Sequence, residues 1–200
     1  MSINYTETPV CSGKNQILVS NLQTSIRSIT PDLGTFQKIL LKADGTVTAM
    51  LEAYLSEPIQ VVKISEKLAN MELKFPNTKL NKQEQVIARK VLLQGEISQR
   101  NFIYADSLIL LNNLDEQFSY ELLNTNKPIG KLWSDQKVET FKEIIASGEE
   151  PANELSNYFC IEPEANVLFR TYSVFSKGKI IMIITEKFPQ SYFLPKVPLT

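Results

Sequence analysis

"RTYSVFSKGKIIMIITEKFP", residues 170–189, alternates apolar with small or polar side chains, breaks at a glycine, and then resumes. Period-two alternation on both sides of a Gly-bearing break reads as two antiparallel strands, turning at Ser176-Lys177-Gly178-Lys179. The second strand holds a carboxylate, Glu186, straight after "IIMIIT". Either the strand reaches water there, the usual fate of a charged residue, or the fold keeps an acid inside.

Upstream, "EQVIARKVLLQGEIS" and "RNFIYADSLILLNNL" are rich in Val, Ile, Leu and aromatic residues and read as another strand pair, with charged "QGEISQR" as its turn. "IQVVKISEKLANMEL" mixes β-branched residues with charge and reads as a further strand. Two helices are expected before these strands. In "TPDLGTFQKILLKADG", Thr30 is a candidate cap, Pro31 fits the first turn, and Phe36, Ile39 and Leu40 stand at helical spacing. In "TVTAMLEAYLSEP", Met50, Leu51, Tyr54 and Leu55 do so, with Thr46 or Thr48 as cap. "DEQFSYELLN" predicts a short helix and Lys127-Pro128-Ile129-Gly130 a turn. "KVETFKEIIASGEE" satisfies helical and alternating periods about equally, "ASGEEPANELSN" reads as a mobile surface loop, and residues 1–29 suggest a leading strand or loop. Helices early and strands joined by short turns afterwards point to an α+β fold with an antiparallel sheet. No repeat or Gly/Ser linker divides the chain, so a single domain over residues 1–200 is expected.

The chain has 200 residues, 43% of them hydrophobic and 22% charged, which is ordinary for a globular domain large enough for a real core. A formal net charge of −1 gives nucleic acid no basic footing, and no apolar run approaches the length of a membrane span. The polar N-terminus lacks the basic-then-apolar order of a secretory signal, so the cytoplasm is the expected compartment. Cys11 and Cys160 stand in unrelated contexts and are expected to be free thiols. There is no histidine, which removes Ser-His-Asp and Cys-His nucleophile systems and the usual general base. Acid–base chemistry would fall to Asp, Glu, Lys, Tyr or Cys. Phosphate-binding glycine loops, G-x-S-x-G and H-E-x-x-H are all missing.

What remains is a few charges inside segments that otherwise look buried: Arg89 in "VIARKVLLQ", Arg170 in "LFRTYSV" and Glu186. Each alone would ordinarily face solvent or pair with a neighbour. Together they are consistent with arginines and an acid converging on a small anion, because guanidinium grips carboxylate bidentately and stays charged when buried. A glutamate half-shielded by Ile, Phe and Met is suited to proton transfer.

The ordered set "DGTVT", "ARKVLL", "YADSLI", "KPIGKL", "FRTY" and "ITEKFP" resembles the chorismate lyase superfamily, in particular its cyanobacterial, plastid, archaeal and mycobacterial branch. The matching segments, Leu41–Glu52, Val86–Leu111, Lys127–Leu132 and Leu168–Pro189, span about a third of the chain. The resemblance implies an antiparallel six-stranded sheet enclosing the ligand in an internal cavity. It also implies cleavage of chorismate to 4-hydroxybenzoate and pyruvate without metal or organic cofactor, serving quinone or phenolic lipid synthesis. Carried across by motif, it puts a ring-carboxylate ligand at Arg89, a group meeting the para oxygen at Glu186, a backbone N–H for the same carboxylate at Ile129, and a further contact at Val47. Arg89 and Glu186 are thus the expected catalytic residues. Arg170 either binds the enolpyruvyl carboxylate or pairs with a nearby acid. Where many bacterial members read A-R-S this chain has Ala105-Asp106-Ser107, so if that arginine holds the second carboxylate, another cation must do so here.

The expected partner is the small molecule chorismate, with neither nucleic acid nor membrane; oligomeric state is open, a monomer being the simplest case. One alternative is a non-catalytic sensing domain of the same fold for an aromatic carboxylate. Another is an enzyme acting on a relative of chorismate.

Overall fold

The computed structural model describes residues 33–73, 82–125 and 129–194. Helices α1 (Thr35–Lys42) and α2 (Val47–Leu55) precede strands β1 (Ile59–Leu73), β2 (Lys82–Gly95) and β3 (Asn101–Leu110). Helices α3 (Glu116–Asn124) and α4 (Ile129–Asp135) follow, then β4 (Phe141–Pro151), the short α5 (Ser156–Phe159), β5 (Asn166–Ser176) and β6 (Lys179–Pro189). The strands form one six-stranded sheet, all neighbours antiparallel, in the order β1-β2-β3-β6-β5-β4. The expected α+β class and antiparallel sheet are therefore observed.

The hairpin of residues 170–189 forms as its alternation dictates. Lys177 and Gly178 both have positive φ, 49° and 73°, the two-residue turn whose twist matches right-handed strands. Its second strand then pairs with β3, which makes it central and draws Glu186 indoors.

Some local expectations need correction. Leu33 and Gly34 are not helical, so α1 starts at Thr35 rather than just after Thr30 and Pro31, which lie outside the described residues. A side chain replaces the expected cap: Gln37, fully buried, accepts from the Gly34 N–H at 2.8 Å and donates to the carbonyls of Gln190 and Tyr192. The Ile129-Gly130 part of the expected turn opens helix α4 instead. "KVETFKEIIASGEE" resolves to strand, because β5 supplies a hydrogen-bonding edge that periodicity cannot reveal. The same pairing overturns the surface-loop reading of "ASGEEPANELSN": Ala146–Pro151 completes β4 opposite Asn166–Thr171, and a helical turn and α5 follow. Pro151 is tolerated at the end of an edge strand. The leading segment 1–29 and Cys11 fall outside the described residues, and Cys160 is a free, exposed thiol.

Two main clusters form the core. One gathers α1, α2 and α5 around Leu51, Leu93, Ile103 and Phe188; the other gathers α3 and α4 around Leu122, Leu132, Tyr172 and Ile184. The polar site lies between them.

Candidate functional site

Residues paired across adjacent strands share a face of the sheet, so the register fixes what meets what. Arg89 pairs with Ser107, Ser107 with Ile184, and Ile184 with Tyr172, one row across four strands. The next row runs Val91, Ala105, Glu186, Arg170. Both rows face one partly enclosed cavity whose walls are mainly apolar with a few convergent polar groups, the make-up of a small-molecule site. Val47 and the flanking Thr46 and Thr48, from the start of α2, form one wall. Ile129, Gly130 and Trp133 of α4 form another. The two helices meet closely: a Cβ on Gly130 would come within 2.3 Å of Thr46 Cγ2, so only glycine lets α4 approach the start of α2.

Of the five residues singled out in the sequence, Val47, Arg89, Ile129 and Glu186 line this cavity, whereas Arg170 stands behind Glu186. Arg89 is 2% exposed, yet its Nε and Nη1 have no hydrogen-bond acceptor. Its nearest acid, Glu66, has Oε2 3.5 Å from Nε and a stronger contact to Lys63 at 2.9 Å. Burial pulls the Arg89 pKa down, and the Glu66 charge opposes that only in part. A desolvated guanidinium with open donors is costly to the folded protein unless an anion completes it.

Glu186 is the opposite case. Arg170 Nε donates to Oε2 at 2.7 Å and the Tyr172 hydroxyl to Oε1 at 2.9 Å. Arg170 also donates to the Ala43 carbonyl at 2.6 Å. Of the two readings open for Arg170, the geometry shows the pairing with a neighbouring acid, and its Nη2 is buried without a hydrogen-bond partner. Glu186 is thus not the isolated acid that its apolar run suggested; it is a held carboxylate, 7% exposed, with a dedicated cation. Burial, and secondarily the Glu186 charge, push the Tyr172 phenol well up, so it stays a neutral donor.

Among the lining residues that sequence reasoning missed, three bear most on the chemistry. Trp133 is the chain's one tryptophan, Tyr172 follows Arg170 by two along the same face, and Lys142 enters from β4. Lys142 donates to the Gly45 carbonyl at 2.8 Å, and Nζ lies 5.3 Å and 5.8 Å from the ring centroids of Tyr172 and Trp133. Burial lowers its pKa, with Glu186 opposing, Arg170 reinforcing and Asp44 opposing. A lysine in a segment of undecided period gave no signal of which way it faced. Asp106 lies on the other face from cavity-lining Ala105 and Ser107, 3.7 Å from Lys90. The aspartate therefore adds no charge to the cavity wall.

Among the described residues no cluster of three or more metal-ligating side chains occurs, and no helix is long and apolar enough to cross a membrane.

The fold resembles that of PhnF from Mycobacterium smegmatis at 8% identity and a TM-score of 0.52, over 72% of this chain and 64% of that one. The separate effector domain of PhnF superimposes with a TM-score of 0.51, also at 8% identity, covering 72% of this chain and 88% of that domain. Sequence relatives are more specific. Chorismate pyruvate-lyase of Mycobacterium leprae is 30% identical over 170 residues, covering 84% of this chain and 79% of the relative. Its Mycobacterium tuberculosis counterpart is 28% identical over 180 residues, covering 84% of each. The family model described as chorismate pyruvate-lyase Rv2949c-like matches residues 41–194, which take in helices α2 and α4, all six strands and every cavity residue named above, and the chain belongs to that family.

Proposed function

We propose that the protein is a chorismate lyase that eliminates the enolpyruvyl group of chorismate to leave 4-hydroxybenzoate and pyruvate, using its own side chains without metal or organic cofactor. The observation carrying this reading is the pairing of an incompletely partnered buried arginine with a supported carboxylate across one apolar cavity. Arg89 and Glu186 stand on strands two places apart, about 10 Å between backbones at ordinary strand spacing. Their side chains reach into that gap from either end, which suits one six-membered ring with a carboxylate at one end and an oxygen at the other.

Arg89 takes the ring carboxylate, joined by the N–H of Ile129, which opens α4 and so has no acceptor within its helix. Val47 and the Ile129 side chain wall the ring. Glu186 faces the para oxygen and the hydrogen on the same ring carbon. In the elimination that hydrogen leaves as a proton, and its bonding pair completes the aromatic ring. The C–O bond on the neighbouring carbon breaks with its electrons, and the released enolpyruvate is protonated and tautomerises to pyruvate. Glu186 is the proton acceptor, while Arg170 and Tyr172 fix its two oxygens. A positioned base of this kind contributes about 10²–10⁴-fold, with aromatisation supplying the driving force. A product enclosed under two helices should leave slowly, so release can limit turnover.

The competing reading, binding without chemistry, has the shared fold with an effector domain in its favour. Incubating the protein with chorismate and measuring 4-hydroxybenzoate and pyruvate decides between them. Glu186→Gln should lower turnover by about 10²-fold or more, and Arg89→Ala should abolish tight 4-hydroxybenzoate binding. Ligand binding without turnover in the wild type would instead establish a sensor.

A further inference from the structure

We propose that Lys142 forms a second carboxylate subsite in the cavity and takes the carboxylate of the enolpyruvyl side chain; this rests on the chorismate reading above. Chorismate is a dianion, and two of the three cations nearest the site are already assigned. Arg170 pairs with Glu186 and the Ala43 carbonyl and, although its Nη2 is without a partner, does not line the cavity, and Arg89 belongs to the ring carboxylate. Lys90 lies outside with Asp106. Lys142 is the remaining cation among the described lining residues.

Its place in the sheet fits the substrate's shape. The order β2-β3-β6-β5-β4 puts Arg89, Glu186 and Lys142 on strands spaced two apart. Across the sheet Lys142 lies two strands beyond Glu186, while along β5 its partner Val174 stands four residues from Arg170, the partner of Glu186, and Nζ lies 5.3 Å from the ring of Tyr172 between those rows. The enolpyruvyl ether is attached to the ring carbon next to the one bearing the para oxygen, so its carboxylate projects toward that end. An ammonium has three donors, and the one acceptor observed for Lys142 is the Gly45 carbonyl at 2.8 Å, leaving donors for a ligand. A cation there also stabilises the charge that develops on the departing enolpyruvate. Lys142 is half-buried, so solvent screens both effects only in part.

A structural role, tethering the roof through Gly45, is the rival explanation, and the product distinguishes the two because 4-hydroxybenzoate has no second carboxylate. Chorismate turnover, 4-hydroxybenzoate binding and thermal unfolding are measured for wild type, Lys142→Met and Lys142→Arg. The chorismate KM should rise about 10- to 100-fold in Lys142→Met, while 4-hydroxybenzoate affinity changes by about threefold or less. Lys142→Arg should recover most of the KM, since guanidinium also binds carboxylate. If Lys142→Met does not fold, Lys142→Gln, which keeps a donor for Gly45, takes its place. Equal losses for both ligands, or an unchanged KM, overturn the Lys142 assignment alone. Wild-type protein that neither turns over chorismate nor binds 4-hydroxybenzoate overturns the lyase reading, and this one with it.

Discussion

The two buried arginines should respond to the same substitution in opposite ways. Arg170→Met strips Glu186 of its 2.7 Å partner and leaves a carboxylate that is 7% exposed with only the Tyr172 hydroxyl. Breaking a buried pair from one side costs about 3–5 kcal/mol. For a chain of this size each kcal/mol shifts Tm by about 2–4 °C, so a fall of about 6–20 °C is expected. Arg89→Met removes a guanidinium whose closest acid is 3.5 Å away and already paired with Lys63, and it puts an apolar chain in an apolar surround. Replacing an unsatisfied buried charge in this way is about neutral or stabilising, so the ligand-free Tm should stay within about 3 °C of wild type or rise. Calorimetric unfolding at pH 7 without ligand measures both. The double variant Arg170→Met/Glu186→Gln should regain part of the loss, because it removes both charges together. A drop in Arg89→Met as large as that in Arg170→Met would refute the reasoning, since Arg89 would then be a structural ion and not an open anion site.

Two further outcomes follow from the geometry. The kcat/KM for chorismate should fall on the alkaline side with a midpoint below the ordinary lysine value of 10.5, as Lys142, its pKa lowered by burial, loses its proton. Asp44, Glu186 and Arg170 also act on Lys142, while Tyr172 is pushed well up and stays neutral through that limb. Lys142→Arg should therefore abolish the limb, and a pH–rate profile that keeps it removes Lys142 from the explanation. Gly130→Ala should cost about 1–3 kcal/mol and weaken ligand binding by pushing the start of α2 away, since its Cβ meets Thr46 Cγ2 at 2.3 Å. Adding Thr46→Ser deletes that methyl and should restore most of the loss in thermal unfolding.

The strands were legible because their pattern is local: β1, β2, β3 and the final hairpin alternate or run apolar between turn residues. Arg89, Arg170 and Glu186 stood out because a charge in an apolar strand is conspicuous whatever the fold. Their division of labour was not legible. That Arg170 supports Glu186 while Arg89 stays open is a consequence of register, with Arg170 directly opposite Glu186 and Arg89 opposite Ser107. Lys142 escaped notice because "TFKEII" suits a helix as well as a strand, and only pairing with Val174 turns it to the cavity. The polar stretch 146–151 misled for the same reason: an edge strand needs little hydrophobicity when a neighbouring strand supplies its hydrogen bonds.

The cavity walls come from separate halves of the core, Val47 and Leu93 from one cluster and Trp133, Tyr172 and Ile184 from the other. The cavity is the seam between the two clusters, lined by apolar side chains from both and by a few polar groups. A bound ring would touch both sides at once and act as a removable cross-link between two half-cores. Occupancy should therefore do more than raise the melting temperature by mass action. It should convert two loosely coupled blocks into one cooperative unit, so that amide exchange in α2 and α4 becomes synchronised with the central strands only while the ligand is present.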